Sequence, residues 1–161
     1  MRTIQTVCFS LLLLLTAVGC NSVHDKDDEV KEYVKVGDRL PAFSVLAVHE
    51  DGTTSTFSTE KLTGETVIVL FNTSCSDCQR DLPLLNAYYL EHRNDKGFQM
   101  VAISREESAE SIAAYWEAHG LKIPYSPQPD RRIYNLFASA IIPRVYFCNA
   151  DGTVTHILIE G

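Results

Sequence analysis

The sequence predicts an α/β fold with a mixed central sheet flanked by helices. Three observations predict it. Val67–Leu70 and Phe98–Ile103 are short apolar runs of the kind that fill strands buried on both faces of a parallel sheet. Each run is followed by a segment with apolar residues at helical spacing. Two turn signals, Glu50-Asp51-Gly52 and Asn149-Ala150-Asp151-Gly152, each join two strand-like stretches.

Taken along the chain, the elements run as follows. Val34 to Val48 carries a Gly-Asp turn, Pro41 and then alternating apolar residues, and Thr53 to Phe57 has strand-like content, so a β-hairpin leads the domain. Thr66 to Phe71 is the first buried strand. Asn72-Thr73-Ser74 follows as a polar turn suited to capping a helix from about Cys75 to His92, whose Leu82, Leu85 and Tyr89 repeat at helical spacing. Phe98 to Ile103 is the second buried strand. Ser104 and Glu107 form a capping-box pattern before a helix ending near Gly120, with Ile112, Tyr115, Trp116 and His119 on one face. Ile123-Pro124-Tyr125 is extended, Asp130 to Phe137 a short helix. Arg144 to Cys148 and Thr153 to Glu160 form a closing hairpin. No C-terminal helix follows, which predicts apolar side chains of the last strand without cover on one face.

The chain has 161 residues and a net charge of -7. That charge, with no basic run and no glycine-rich phosphate loop, argues against a nucleic-acid partner. The first 19 residues read as a signal peptide: Arg2 is followed by an apolar stretch, Val7 to Leu15, too short to span a bilayer. Ala17-Val18-Gly19-Cys20 resembles the bacterial lipobox, in which the cysteine becomes a lipid-modified N-terminus, so Cys20 is the expected lipid anchor. Residues 20–33 are rich in acidic side chains and read as a flexible tether, because they hold too little apolar surface to offset the entropy of ordering. The folded domain is expected over 34–161, on the outer side of a membrane in the cell envelope.

Of five cysteines, Cys8 lies in the leader and Cys20 at its end, leaving Cys75, Cys78 and Cys148. Cys75-Ser76-Asp77-Cys78 follows a buried strand and opens a helix. Free backbone N–H groups and the helix dipole there favour an anion, and the thiolate is the nucleophile. Two intervening residues leave the sulfurs about one turn apart, so Cys75 is the expected attacking thiol and Cys78 the resolving one. Asp77 places a negative charge inside the pair and opposes the thiolate, with Ser76 beside it as a second tuning residue. A zinc site is the competing reading, but it needs four ligands, and neither a second pair nor a His at ligand spacing is present. A static disulfide would constrain the unfolded chain little. Cys148, within a strand, reads as a small buried apolar thiol.

These residues resemble a known family. Val36-Gly37-Asp38, Pro41 and Phe43, Leu62-Thr63-Gly64, the strand to Phe71, the Cys pair, Leu82-Pro83, and Ile142-Pro143 before Arg144–Phe147 resemble TlpA-like and ResA-like thioredoxin proteins over about Val36 to Gly161. The resemblance implies a thioredoxin-like fold and a thiol–disulfide oxidoreductase, the reducing direction favoured. It implies that Pro143 is cis beside the sulfurs and that Ile142 offers its peptide groups to a docking substrate chain. It also implies that Asp81, in the place of a buried acid, exchanges a proton with Cys78. Ser74 stands where the family has Trp, a departure that bears on substrate preference. The implied partners are disulfides of exported proteins or apocytochrome-type thiols. No flavin or nicotinamide motif is visible, so electrons come from a donor thiol protein rather than a bound cofactor.

Two alternatives remain open. A thiol peroxidase of peroxiredoxin type would carry Pro and Thr where Ile68 and Asn72 stand. A copper-carrying binding module on the same scaffold would space its cysteines by three and add a His, for which His156 is the candidate.

Overall fold

The computed structural model describes residues 30–159. The predicted leader, the anchor Cys20 and residues 20–29 of the predicted tether lie outside the described residues.

Among the described residues, seven strands form one sheet, and two α-helices pack on it. The strands are β1 (Ser44–Val48), β2 (Thr54–Ser58), β3 (Thr66–Phe71), β4 (Gln99–Ser104), β5 (Tyr125–Ser126), β6 (Arg144–Cys148) and β7 (Val154–Ile159). The helices are α1 (Ser76–His92), between β3 and β4, and α2 (Ala109–His119), between β4 and β5. The sheet order is β2-β1-β5-β4-β3-β6-β7. β3, β4 and β5 run parallel, while β6 pairs antiparallel with β3 and β7 antiparallel with β6. The leading hairpin is antiparallel, with Val48 opposite Thr54, and joins the sheet through β5. The expected mixed sheet and leading hairpin are present.

The order follows from burial. β3 is buried at every residue from Thr66 to Phe71, as a central strand must be, and β-branched side chains suit that environment. α1 lays Cys78, Leu82 and Leu85 into the core, and α2 lays Ile112 and Trp116 into it. Each such aliphatic side chain contributes about 1.5–3 kcal/mol through burial. The Trp116 ring meets Phe71 with centroids 5.0 Å apart, and its Nε1–H donates to the Ile123 carbonyl at 2.8 Å. Gly120 ends α2 with φ +62°, a left-handed cap that an L side chain adopts at a cost.

Three expectations need correction. Asn72-Thr73-Ser74 does not cap α1. Cys75 is the N-cap, without a side-chain cap bond, and Asn72 instead accepts from the Ser74 backbone and hydroxyl at 2.8 and 2.6 Å. Ser104 and Glu107 make no capping box, because Ser104 ends β4 and Glu106 turns the chain with φ +56°. Ser108 is the N-cap and accepts from Ser111 N at 3.3 Å. The short helix expected over Asp130–Phe137 is a single 3-10 turn at Tyr134–Leu136.

The domain also begins earlier than expected. Lys31 and Glu32 fell within the predicted tether, yet Glu32 forms a β-bridge with Ala138, and Ser139 N donates to the Lys31 carbonyl at 3.0 Å. Backbone pairing and a buried arginine, described below, supply what the local composition lacks. At the other end of the sheet, Leu158 and Ile159 of β7 are exposed, as is Leu84 of α1. With Asp81, Leu85, Pro143 and Val145 they line a groove of about 240 Å³.

Candidate active site

β3 ends on Phe71, and the chain turns through Asn72–Ser74 before α1 begins. That turn is held from two sides. Asn72 Nδ2 donates to the Arg105 carbonyl at 2.8 Å, tying it to the end of β4. Gln79 Nε2 donates to the Thr73 carbonyl at 2.7 Å, tying it to the first turn of α1. Glu107, buried, accepts from Thr73 N at 2.8 Å, from the Thr73 hydroxyl and from the Ser111 hydroxyl at 2.7 Å. One side chain therefore joins the approach to Cys75 with the start of α2.

Cys75 stands at the N-cap with extended backbone (φ -82°, ψ 122°) and is partly exposed, while Cys78 is fully buried. Both are free thiols. Burial pushes the Cys78 thiol well above the ordinary cysteine range. A backbone hydrogen bond from Asn72 and the positive charge of Arg105 act against this rise, and the neighbouring Cys75 adds to it. The two sulfurs thus differ in kind: one meets solvent where a helix dipole is strongest, and the other is held protonated behind it.

The loop before β6 faces the pair. The Ile142–Pro143 peptide is cis, as the resemblance implied, and the Ile142 carbonyl lies 3.5 Å from Cys75 Sγ. Ile141 holds φ +74°, a left-handed conformation that costs a β-branched residue about 1–3 kcal/mol and persists only where surroundings enforce it.

The other predicted site residues fall as follows. Ser76 opens α1 beside Cys75. Asp77 is half-buried and accepts from Arg80 Nη1 at 2.9 Å, so a guanidinium stands next to the charge expected to act on Cys75. Asp81 accepts from Arg80 Nε at 2.9 Å and lines the groove with Pro143; among the described residues no hydrogen bond joins it to either sulfur. Cys148 is buried in β6, and burial pushes its thiol up to about 12.

Sequence reasoning missed three residues here. Glu107 reads as part of a cap, Arg144 only as the start of a strand, and Arg105 carries no role. Arg105 sits directly after β4 with its guanidinium 5.0 Å from the Tyr134 ring centroid, and its buried Nε has no hydrogen-bond partner among the described residues. Arg144 is fully buried. An arginine opening an otherwise apolar strand, Arg144–Cys148, was the available signal.

Among known proteins, the chain matches the AhpC/TSA family over residues 36–157. The chain belongs to the AhpC/TSA family. The chain is also similar to thiol-disulfide oxidoreductases named ResA. That of Oceanobacillus iheyensis is 27% identical over 149 residues, covering 92% of this chain and 77% of the relative. That of Bacillus anthracis is 25% identical over 150 residues, covering 92% and 83%. The resemblance drawn from the Cys pair and Ile142-Pro143 agrees with both. Solved structures show the same thioredoxin-like fold. A thiol:disulfide interchange protein from Chlorobium tepidum TLS superposes with TM-score 0.64 at 21% identity, covering 78% of this chain and 88% of that one. Peroxidoxin BcpB from Mycobacterium tuberculosis superposes with TM-score 0.62 at 14% identity, covering 78% and 86%. AhpC/TSA membership therefore fixes the fold.

The raised thiols set a pH dependence. Folded, Cys78 and Cys148 keep their protons to higher pH than the ordinary thiol value of 9.0. Above that value the native state binds more protons than the unfolded state, so stability is full below about pH 9 and falls as pH rises beyond it. Urea melts of the reduced protein are expected to show a lower midpoint at about pH 10.5 than at about pH 8. Cys148→Val is expected to shrink the difference.

Proposed function

We propose that this chain reduces disulfides of exported proteins through Cys75 and Cys78. The observation that carries this reading is the pairing of a partly exposed sulfur, 3.5 Å from the Ile142 carbonyl, with a fully buried one a turn behind it.

The Cys75 thiolate attacks one sulfur of a substrate disulfide. A mixed disulfide forms, and the other substrate sulfur leaves as a thiolate that takes a proton. Cys78 then loses its proton and attacks the Cys75 sulfur. The second substrate thiol is released, and Cys75 and Cys78 close a disulfide. Two electrons have passed from the dithiol to the substrate, and a donor thiol protein restores them. Burial keeps Cys78 protonated until the mixed disulfide forms, which favours capture before resolution. Asp81, one turn beyond Cys78 and in the groove beside Pro143, is the carboxyl assigned to receive that proton. An apolar leader ending at Cys20 supports export and lipid anchoring on the outer side of a membrane, where such substrates occur. The peroxidase reading is less favoured, since Ile68 and Asn72 hold the places its Pro and Thr would take.

Equilibration of the protein with thiol–disulfide buffers tests the direction. A reductase gives a Cys75/Cys78 potential below about -260 mV, and a value above about -180 mV points to an oxidant or isomerase instead.

A further inference from the structure

The loop that faces Cys75 is held by Arg131, Tyr134 and Arg144 from nearby in the chain, and Arg144 is in turn held by the distant Glu32. Arg131 Nη2 donates to the Ser139 carbonyl at 2.8 Å. Arg144 Nη2 donates to the Ala140 carbonyl at 2.7 Å, and its Nε lies 3.1 and 3.0 Å from the Ala140 and Ile141 carbonyls. The Tyr134 hydroxyl donates to the Ile141 carbonyl at 2.7 Å. Three consecutive carbonyls are thus fixed, and the next, that of Ile142, is the one 3.5 Å from Cys75 Sγ. Each peptide is planar, so the Ile142 carbonyl can move only through the few torsions between the bonded Ile141 carbonyl and Arg144, where β6 begins. Arg144 is itself fixed by Glu32, in a two-pronged pair with N···O distances of 2.6 and 2.9 Å. A fully buried guanidinium requires such a counter-charge.

We propose that Glu32, Arg144 and Tyr134 are positioning residues that hold the Ile142 carbonyl where an extended substrate chain docks against Cys75. The proposal rests on Cys75 being the attacking thiol. Docking an extended chain uses the backbone edge of this loop, and a loop ordered in advance lowers the cost of binding. A small disulfide needs only the sulfur. Among the described residues none of the three side chains hydrogen-bonds to a thiol, so loss of the cage acts on binding of a polypeptide and not on sulfur chemistry.

The test uses the pre-reduced full chain and the variants Glu32→Gln and Tyr134→Phe. Each is mixed with oxidised insulin, or with the small disulfide dithionitrobenzoate, then quenched with acid, and its remaining thiols are counted by mass. For Glu32→Gln the half-saturating insulin concentration is expected to rise about fivefold to tenfold, with the limiting rate and the dithionitrobenzoate rate within about twofold of wild type. For Tyr134→Phe the same pattern is expected at about threefold. If Glu32→Gln fails to fold, Tyr134→Phe decides, because it strands no buried charge. An equal slowing on both disulfides, or no change on insulin, overturns the proposal. Wild-type protein oxidised by neither disulfide overturns the assignment of Cys75 itself, and the positioning role with it.

Discussion

Cys78→Ser is expected to halt the reaction halfway, leaving a covalent adduct between Cys75 and the substrate. Cys75→Ser is expected to give no adduct at all. The asymmetry follows from the two environments: Cys75 meets solvent at the start of α1, while Cys78 is enclosed in the core. An attacking group must be reachable, and a resolving group need reach only the sulfur beside it. Non-reducing mass measurement after mixing with oxidised insulin separates the variants, and turnover of either is expected to fall by at least about a thousandfold. An adduct formed through Cys78 in Cys75→Ser reverses the assigned roles. Equal adducts in both variants mean that the burial difference does not set the order of attack.

Glu107→Ala carries the second large effect. Its carboxyl accepts from the Thr73 backbone N–H, the Thr73 hydroxyl and the Ser111 hydroxyl, all at the junction of the Cys75 turn and α2. Alanine leaves the Thr73 N–H buried without a partner and removes a negative group from beside a helix start. The expected loss is about 2–3 kcal/mol of stability, or roughly 6–12 °C in Tm for a domain of this size. Calorimetry measures the first consequence. Faster amide exchange confined to residues 72–75 and the first turn of α2 reports the second. Glu107→Gln, which keeps an acceptor oxygen, is expected to lose less.

Much of this arrangement was legible from local sequence. Thr66–Phe71 reads as a buried strand because every position is apolar or β-branched, and it is buried at every position. The Cys pair reads as a helix start because strand, polar turn and helical spacing follow in order. What escaped was long-range pairing of charge. Ser104 and Glu107 have capping-box spacing, but a bend at Glu106 separates them, and Glu107 spends its oxygens on a threonine 34 residues earlier. Arg144 would be placed on the surface by composition. It is buried because a glutamate 112 residues away and two carbonyls close at hand satisfy its donors. Neither partner is marked by spacing or periodicity. The same pairing accounts for the misplaced start of the domain: an acidic stretch looks solvated until its cation is known.

That salt bridge also decides where the domain can be cut. Trimmed to begin at Val34, as hydropathy alone suggests, the polypeptide keeps every helix and strand of the sheet but leaves the Arg144 guanidinium enclosed with no counter-charge. A fragment that keeps the domain intact is therefore expected to include Glu32, and a shorter one is expected to loosen first at the loop facing the reactive sulfur.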